Sequence, residues 1–184
     1  MSTMTREEII QHIQDGNSLA DKDLTEADLS YANLKKGHFV GADLSSAHLQ
    51  NANLEGANLA GAKLTKAFLF GANLMGANLE GANLEGANMQ DSNLEGANLQ
   101  KINAKKVSLF GAQLENVNLE EADLSGGKLK RATLDGANLK SANLSSAHLQ
   151  RASLKNTNFE NANLTDTNLA NADTTNANMQ GVKQ

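Results

Sequence analysis

The sequence has no cysteine, no proline and no tryptophan, and only six aromatic residues: Tyr31, Phe39, Phe68, Phe70, Phe110 and Phe159. Without cysteine there is no disulfide, no thiol nucleophile and no thiolate-ligated zinc or iron–sulfur site. No stretch approaches the roughly 18 apolar residues of a membrane span. Residues 1–16 carry charges where a signal peptide needs an apolar run. Sixteen Lys and Arg against 21 Asp and Glu give a formal charge of −5, which is not the basic composition of a nucleic-acid binder. At 184 residues the chain is expected to be one soluble, cytoplasmic domain with a core of small aliphatic side chains.

What is abundant is a repeat. From Leu19 to Met179 every fifth residue is Leu or a substitute for it, 33 positions in one unbroken register, 27 of them Leu. The exceptions are Phe39, Met89, Ala104, Phe159, Thr174 and Met179. Ala stands two residues earlier and Asn or Asp between, so the unit is A-(N/D)-L-x-x, with no place for a linker. A period of five fits neither a continuous helix nor a continuous strand. It divides into a short extended step, with Ala and Leu on one face and Asn on the other, and a two-residue turn. Gly often fills the second turn position, as in Glu55-Gly56, where a type II turn needs φ > 0. Between Ser141 and Asn176 that position holds no Gly, which predicts less regular turns there.

Runs such as Ala52-Asn53-Leu54-Glu55-Gly56-Ala57-Asn58-Leu59 resemble the pentapeptide-repeat family over residues 17–181. The resemblance implies an all-β solenoid: a right-handed quadrilateral β-helix of about eight coils, four pentapeptides per coil. Spacings between Phe39 and Phe159, Phe70 and Phe110, and His48 and His148 are all multiples of 20, as four-sided coils require. Thr5-Arg6-Glu7-Glu8 reads as a capping box, followed by Ile9, Ile10 and Ile13 on one helical face and Gly16 as a stop. Residues 1–16 are therefore expected to be an N-terminal capping helix, 17–181 the solenoid and 182–184 a tail. No counterpart is visible at the other end, where fraying or a homodimer meeting through the uncapped C-terminal end is expected.

The polar residues offer little chemistry. His48 and His148 would lie five coils apart, about 24 Å, too far to share a metal ion. Asp43, Ser45, Ser46 and His48 superficially combine a nucleophile, a base and an acid, but a solenoid side without insertions is expected to be flat or convex. It has no pocket to exclude water. No catalytic, metal or cofactor site is expected. The Asn and Asp of the repeat are expected to bond local backbone. At Ala104 a missing Leu is expected to be offset by Ile102 and Val107, with a distortion bearing Lys105 and Lys106 as the alternative.

Folded at 20 residues, the turn positions of the Leu19 and Leu34 sides carry nine acids, among them Glu80, Glu120 and Glu160, against five lysines. The Leu24 and Leu29 sides carry Lys63, Lys66, Lys105, Lys106, Lys128, Lys130, Arg131 and Arg151. The Leu29 side also holds Tyr31, His48, Phe68, Phe70, Phe110 and His148. A solenoid presents each side as one surface, so this side is the candidate protein-binding surface. The expectation is a non-catalytic interaction module with an unknown protein partner, and with neither nucleic acid nor membrane as its target. Some members of the family mimic duplex DNA and act on type II topoisomerases such as gyrase. The alternative that this implies fits less well, because the core is Leu-rich, one half is basic and no C-terminal aromatic helix is present.

Overall fold

The computed structural model describes residues 4–184. Its one helix among the described residues, α1 (Arg6–Gln14), is bounded by the predicted signals. The Glu8 N–H donates to the Thr5 hydroxyl (3.2 Å) and the Thr5 N–H to the Glu8 carboxylate (2.7 Å), a complete capping box. At the other end the Gly16 N–H donates to the Ile13 carbonyl (3.0 Å) and the Asn17 N–H to that of His12 (2.8 Å), with Gly16 at φ +72°. That is a Schellman motif, which needs the left-handed conformation glycine adopts without strain. Ile9 joins the same buried core as Leu19, Leu24 and Leu29. The Arg6 guanidinium donates to the carbonyls of Asp28 (2.9 Å) and Ser30 (2.7 Å), tying the helix to the solenoid.

From Asp23↔Asp43 to Asn163↔Lys183, parallel bridges join residues 20 apart without a break. Each extended step is too short to be a strand in its own right; the pairing exists only because the next coil lies on it. Leu54 shows the pattern. Its N–H donates to the Asn73 carbonyl (2.7 Å), and the Asn73 N–H donates back to Ala52 (3.0 Å). Within the turn, the Ala57 N–H closes on the Leu54 carbonyl (2.9 Å). The second turn residue has φ between +53° and +71° at every repeat from Asp21 to Gly181, as type II geometry requires.

The less regular turns predicted for 141–176 are not found: Ser141, Arg151 and Asp166 sit at φ +57°, +60° and +56°, like the glycines before them. The reason is that stacking holds the turn. The Arg151 N–H donates to the Ala170 carbonyl of the next coil (3.0 Å), which fixes the geometry whatever the residue. A non-glycine residue then accepts a strain of about 1–2 kcal/mol.

The Leu and Ala positions form one continuous apolar core, nearly all fully buried between Ala32 and Leu164. Exceptions come in matched sets. Phe39 occupies a Leu slot where Gly37 replaces the usual Ala; a Cβ on Gly37 would stand 2.5 Å from a Phe39 ring carbon. Around Ala104, both Ile102 and Val107 are buried, so the expected compensation is present. The bridges continue through Asn103↔Asp123, but Ile102 lacks the turn hydrogen bond its neighbours make, so a small opening accompanies the larger side chain. Among the described residues, two polar residues are wholly buried, and backbone satisfies both: Ser92 donates to Met89 (2.7 Å) and Thr157 to Leu134 (2.9 Å).

At the far end Leu169, Ala172, Ala177, Met179 and Val182 are only partly buried. Among the described residues, the backbone N–H groups of Leu169, Asn171, Thr174 and Asn176 have no partner, whereas those of the preceding repeats donate to the carbonyl 19 residues on.

Candidate functional site

In the regular repeat the outward Asn does two things. Its Oδ1 accepts the N–H two residues on, closing a local turn, as Asn53 does with Glu55 (3.1 Å). Its Nδ2 donates to the Asn 20 residues earlier. Over Leu19 this builds a continuous ladder: Asn78 to Asn58 (3.4 Å), Asn98 to Asn78 (3.1 Å), Asn118 to Asn98 (3.3 Å), and on through Asn138 and Asn158 to Asn178. The local bonding expected of these residues is therefore present, with a coil-to-coil bond added.

The column over Leu29 breaks this rule. Stacked in order are Asp28, His48, Phe68, Asn88, Ser108, Lys128, His148 and Asn168. No Asn-to-Asn bond forms in it among the described residues. His48 and Phe68 instead stack their rings, centroids 4.9 Å apart. Asp28, at the top, is held below the ordinary carboxylate range by hydrogen bonds from the Ser30 backbone and side chain, aided by Arg6 and His48. Where His, Phe, Ser or Lys stands in place of Asn here, the N–H that Asn would have bound has no partner among the described residues. Phe110, Lys130 and Gln150 are three such amides in successive coils.

All ten candidate residues lie in this column or its following turn: Tyr31, His48, Phe68, Phe70, Phe110, Lys128, Lys130, Arg131, His148 and Arg151. They divide into two groups. Toward α1, Tyr31 is 76% exposed, and Phe68 and Phe70 are 40% and 42% exposed. Further along, Phe110 is half-buried, with the Arg131 guanidinium over its ring at 5.9 Å.

This second group surrounds a shallow groove of about 450 Å³, lined by Gln90, Ser108, Phe110, Lys128, Lys130, His148 and Gln150. The expected flat or convex surface is thus corrected. Ser108 is the short member of the column, and the longer side chains around it make the walls. Gln90 reaches across to donate to the Ser108 hydroxyl (3.0 Å). Gln90, Ser108 and Gln150 were not among the sequence candidates. The signal was available, since a 20-residue fold places small Ser108 between Asn88 and Lys128.

The charges also sort differently from the sequence reading. Over Leu24, Lys63 pairs with Asp43 (3.4 Å) and Lys105 with Asp123 (3.6 Å), so lysines there face acids of the neighbouring coil. Burial pushes the Asp43 and Asp123 carboxyls up, but hydrogen bonds from Ser45 and Ser125, together with the lysines, hold both below the ordinary value. Asp43 is thereby committed to Ser45 and Lys63 rather than to His48. Lys128, Lys130, Arg131 and Arg151 have no ion-pair partner among the described residues. No group of His, Asp or Glu among those residues could hold a metal ion, and no helix is long and apolar enough to cross a membrane.

Among solved structures, the chain is similar to HetL, a pentapeptide repeat protein involved in heterocyst differentiation regulation in the cyanobacterium Nostoc. The two are 32% identical over 98% of this chain and 94% of that one, with a TM-score of 0.39. A pentapeptide repeat protein of the Arabidopsis thaliana thylakoid lumen is 27% identical over 55% of this chain and 70% of its own, with a TM-score of 0.54. The plasmid-mediated fluoroquinolone resistance protein QnrB1 is 18% identical over 98% of this chain and 87% of its own, with a TM-score of 0.45. No curated protein matches. No enzyme family is indicated, and proteins of this kind are generally structural or interaction modules. The family model for pentapeptide repeats matches in 8 copies that together run from residue 16 to 181, and the chain belongs to the pentapeptide-repeat family.

Proposed function

We propose that this chain is a non-catalytic interaction module that docks a protein partner through the face over Leu29. In this reading the 20-residue step is one right-handed, four-sided coil, about eight coils make a rod, and α1 caps one end, residues 1–3 of the expected 1–16 cap lying outside the described residues. Residues 17–181 form the solenoid, whose pairing runs on through Lys183 where a tail was expected, and the chain works in the cytoplasm without a cofactor. The observation that carries the reading is the contrast between columns. Where a solenoid needs only a self-pairing surface, Asn repeats; over Leu29 it is replaced by His, Phe, Ser and Lys, flanked by exposed Tyr31 and Phe70. Such a mixture of exposed aromatics and cations is what protein interfaces enrich.

The test is affinity capture with the wild type, a Phe70→Ser/Phe110→Ser double variant, and a Lys101→Ser control on the Leu19 face. A partner held by wild type and control but lost from the double variant, at unchanged melting temperature, supports docking. Equal recovery by all three overturns it.

The alternative, a DNA mimic acting on a type II topoisomerase such as gyrase, calls for a continuous acidic surface. Unpaired Lys128, Lys130, Arg131 and Arg151 run against that. No effect on supercoiling at micromolar concentration is expected, and inhibition would favour the alternative. The open edge at Leu169–Val182 also suits a homodimer, which sedimentation at rising concentration would reveal as an increase in mass.

A further inference from the structure

The groove around Ser108 is more specific than the face that holds it. Three kinds of group converge there. Lys128 and Lys130 line the groove and Arg131 lies over Phe110, none of them with an ion-pair partner among the described residues. No acid stands on this face between Ser108 and Arg151. The amides of Phe110, Lys130 and Gln150 are donors left without an acceptor, in a row two coil steps long, about 10 Å. Finally, the buried Oε1 of Gln150 has no donor.

We propose that this groove seats an extended acidic segment of the partner protein, its carboxylates on the lysines, Arg131 and the free amides, and one apolar side chain against Phe110. The inference rests on the docking reading above and names the chemistry of what docks. A single small anion would meet only part of a row this long. A nucleic-acid backbone would meet the cations, but it brings no apolar side chain to Phe110, which lines the groove. Charged hydrogen bonds from lysine, arginine and backbone amides to carboxylate are the strong ones.

The experiment uses the full chain and a fluorescein-labelled decapeptide of glutamates with one central phenylalanine, read by anisotropy. Binding with a Kd below about 1 mM at low salt is expected, weakening several-fold as salt rises through physiological strength. Lys128→Glu/Lys130→Glu should weaken it about tenfold or more, Lys128→Gln/Lys130→Gln by less, and Lys101→Glu on the opposite ladder face not at all. Replacing the peptide phenylalanine by alanine should weaken binding to wild type but not to Phe110→Ala. No binding, binding indifferent to the lysine variants, or tighter lysine-dependent binding of a duplex DNA oligonucleotide overturns the proposal. The capture assay separates the two readings. A partner lost with Phe70→Ser/Phe110→Ser but kept by Lys128→Glu/Lys130→Glu leaves docking standing and removes the acidic segment.

Discussion

The Leu19 and Leu29 columns share one core and one backbone geometry, yet their outer surfaces have opposite character. Over Leu19, each Asn from Asn58 to Asn178 receives the local N–H, and those from Asn78 to Asn158 bond a neighbour on both sides, so the ladder satisfies itself. Over Leu29 the same backbone carries His48, Phe68, Ser108, Lys128 and His148, and leaves amides and cations unpaired. The fold tolerates both because coil-to-coil backbone bonds, not the outward side chains, hold the stack. One surface is closed to further bonding and the other is open to it.

The largest effects should not distinguish the two columns. Leu119→Ala and Leu129→Ala each empty a fully buried slot, one under each surface, and each should cost about 2–5 kcal/mol in urea unfolding. A marked inequality would mean that the core itself differs. The surfaces should then separate. Asn118→Ala removes the bonds to Asn98, Asn138 and the Glu120 amide, at about 1–3 kcal/mol, while Lys128→Ala should stay within about 0.5 kcal/mol. Equal losses at these two sites would break the contrast.

Acid probes a third surface, over Leu24. The depressed carboxyls of Asp43 and Asp123 contribute stability that is fully present above the unfolded carboxylate value, about 3.9, and is lost as pH falls through their lower folded values. Melting temperature should therefore fall below about pH 4, and less steeply in Asp43→Asn/Asp123→Asn. Between Asn118→Ala and Lys128→Ala falls Arg131→Ala, which uncovers Phe110 and should cost about 0.5–1 kcal/mol, with increased exposure of the ring measurable by fluorine-labelled phenylalanine NMR.

Much of this is legible in the sequence. The unbroken run from Leu19 to Met179 marks the repeat and its extended-step-and-turn unit, and its resemblance to pentapeptide-repeat proteins implies the solenoid. Thr5 to Glu8 gave the start of α1 because a capping box is local chemistry. The turns of residues 141–176 are regular without Gly because stacking bonds between coils override local propensity. The groove was missed because it depends on side-chain lengths in neighbouring coils, with Ser108 short beside Phe110, Lys128 and Lys130.

By itself, the sequence determined the repeat, the core and which side chains face outward, since each follows from five-residue periodicity and hydrophobic burial. Only the tertiary structure decided which charges are neutralised. Lys63 and Lys105 meet acids across a coil boundary, whereas Lys128 and Lys130 meet none. Pairing depends on distances of a few ångström between residues about 20 apart in the chain, and only the stacking of one coil on the next sets those distances.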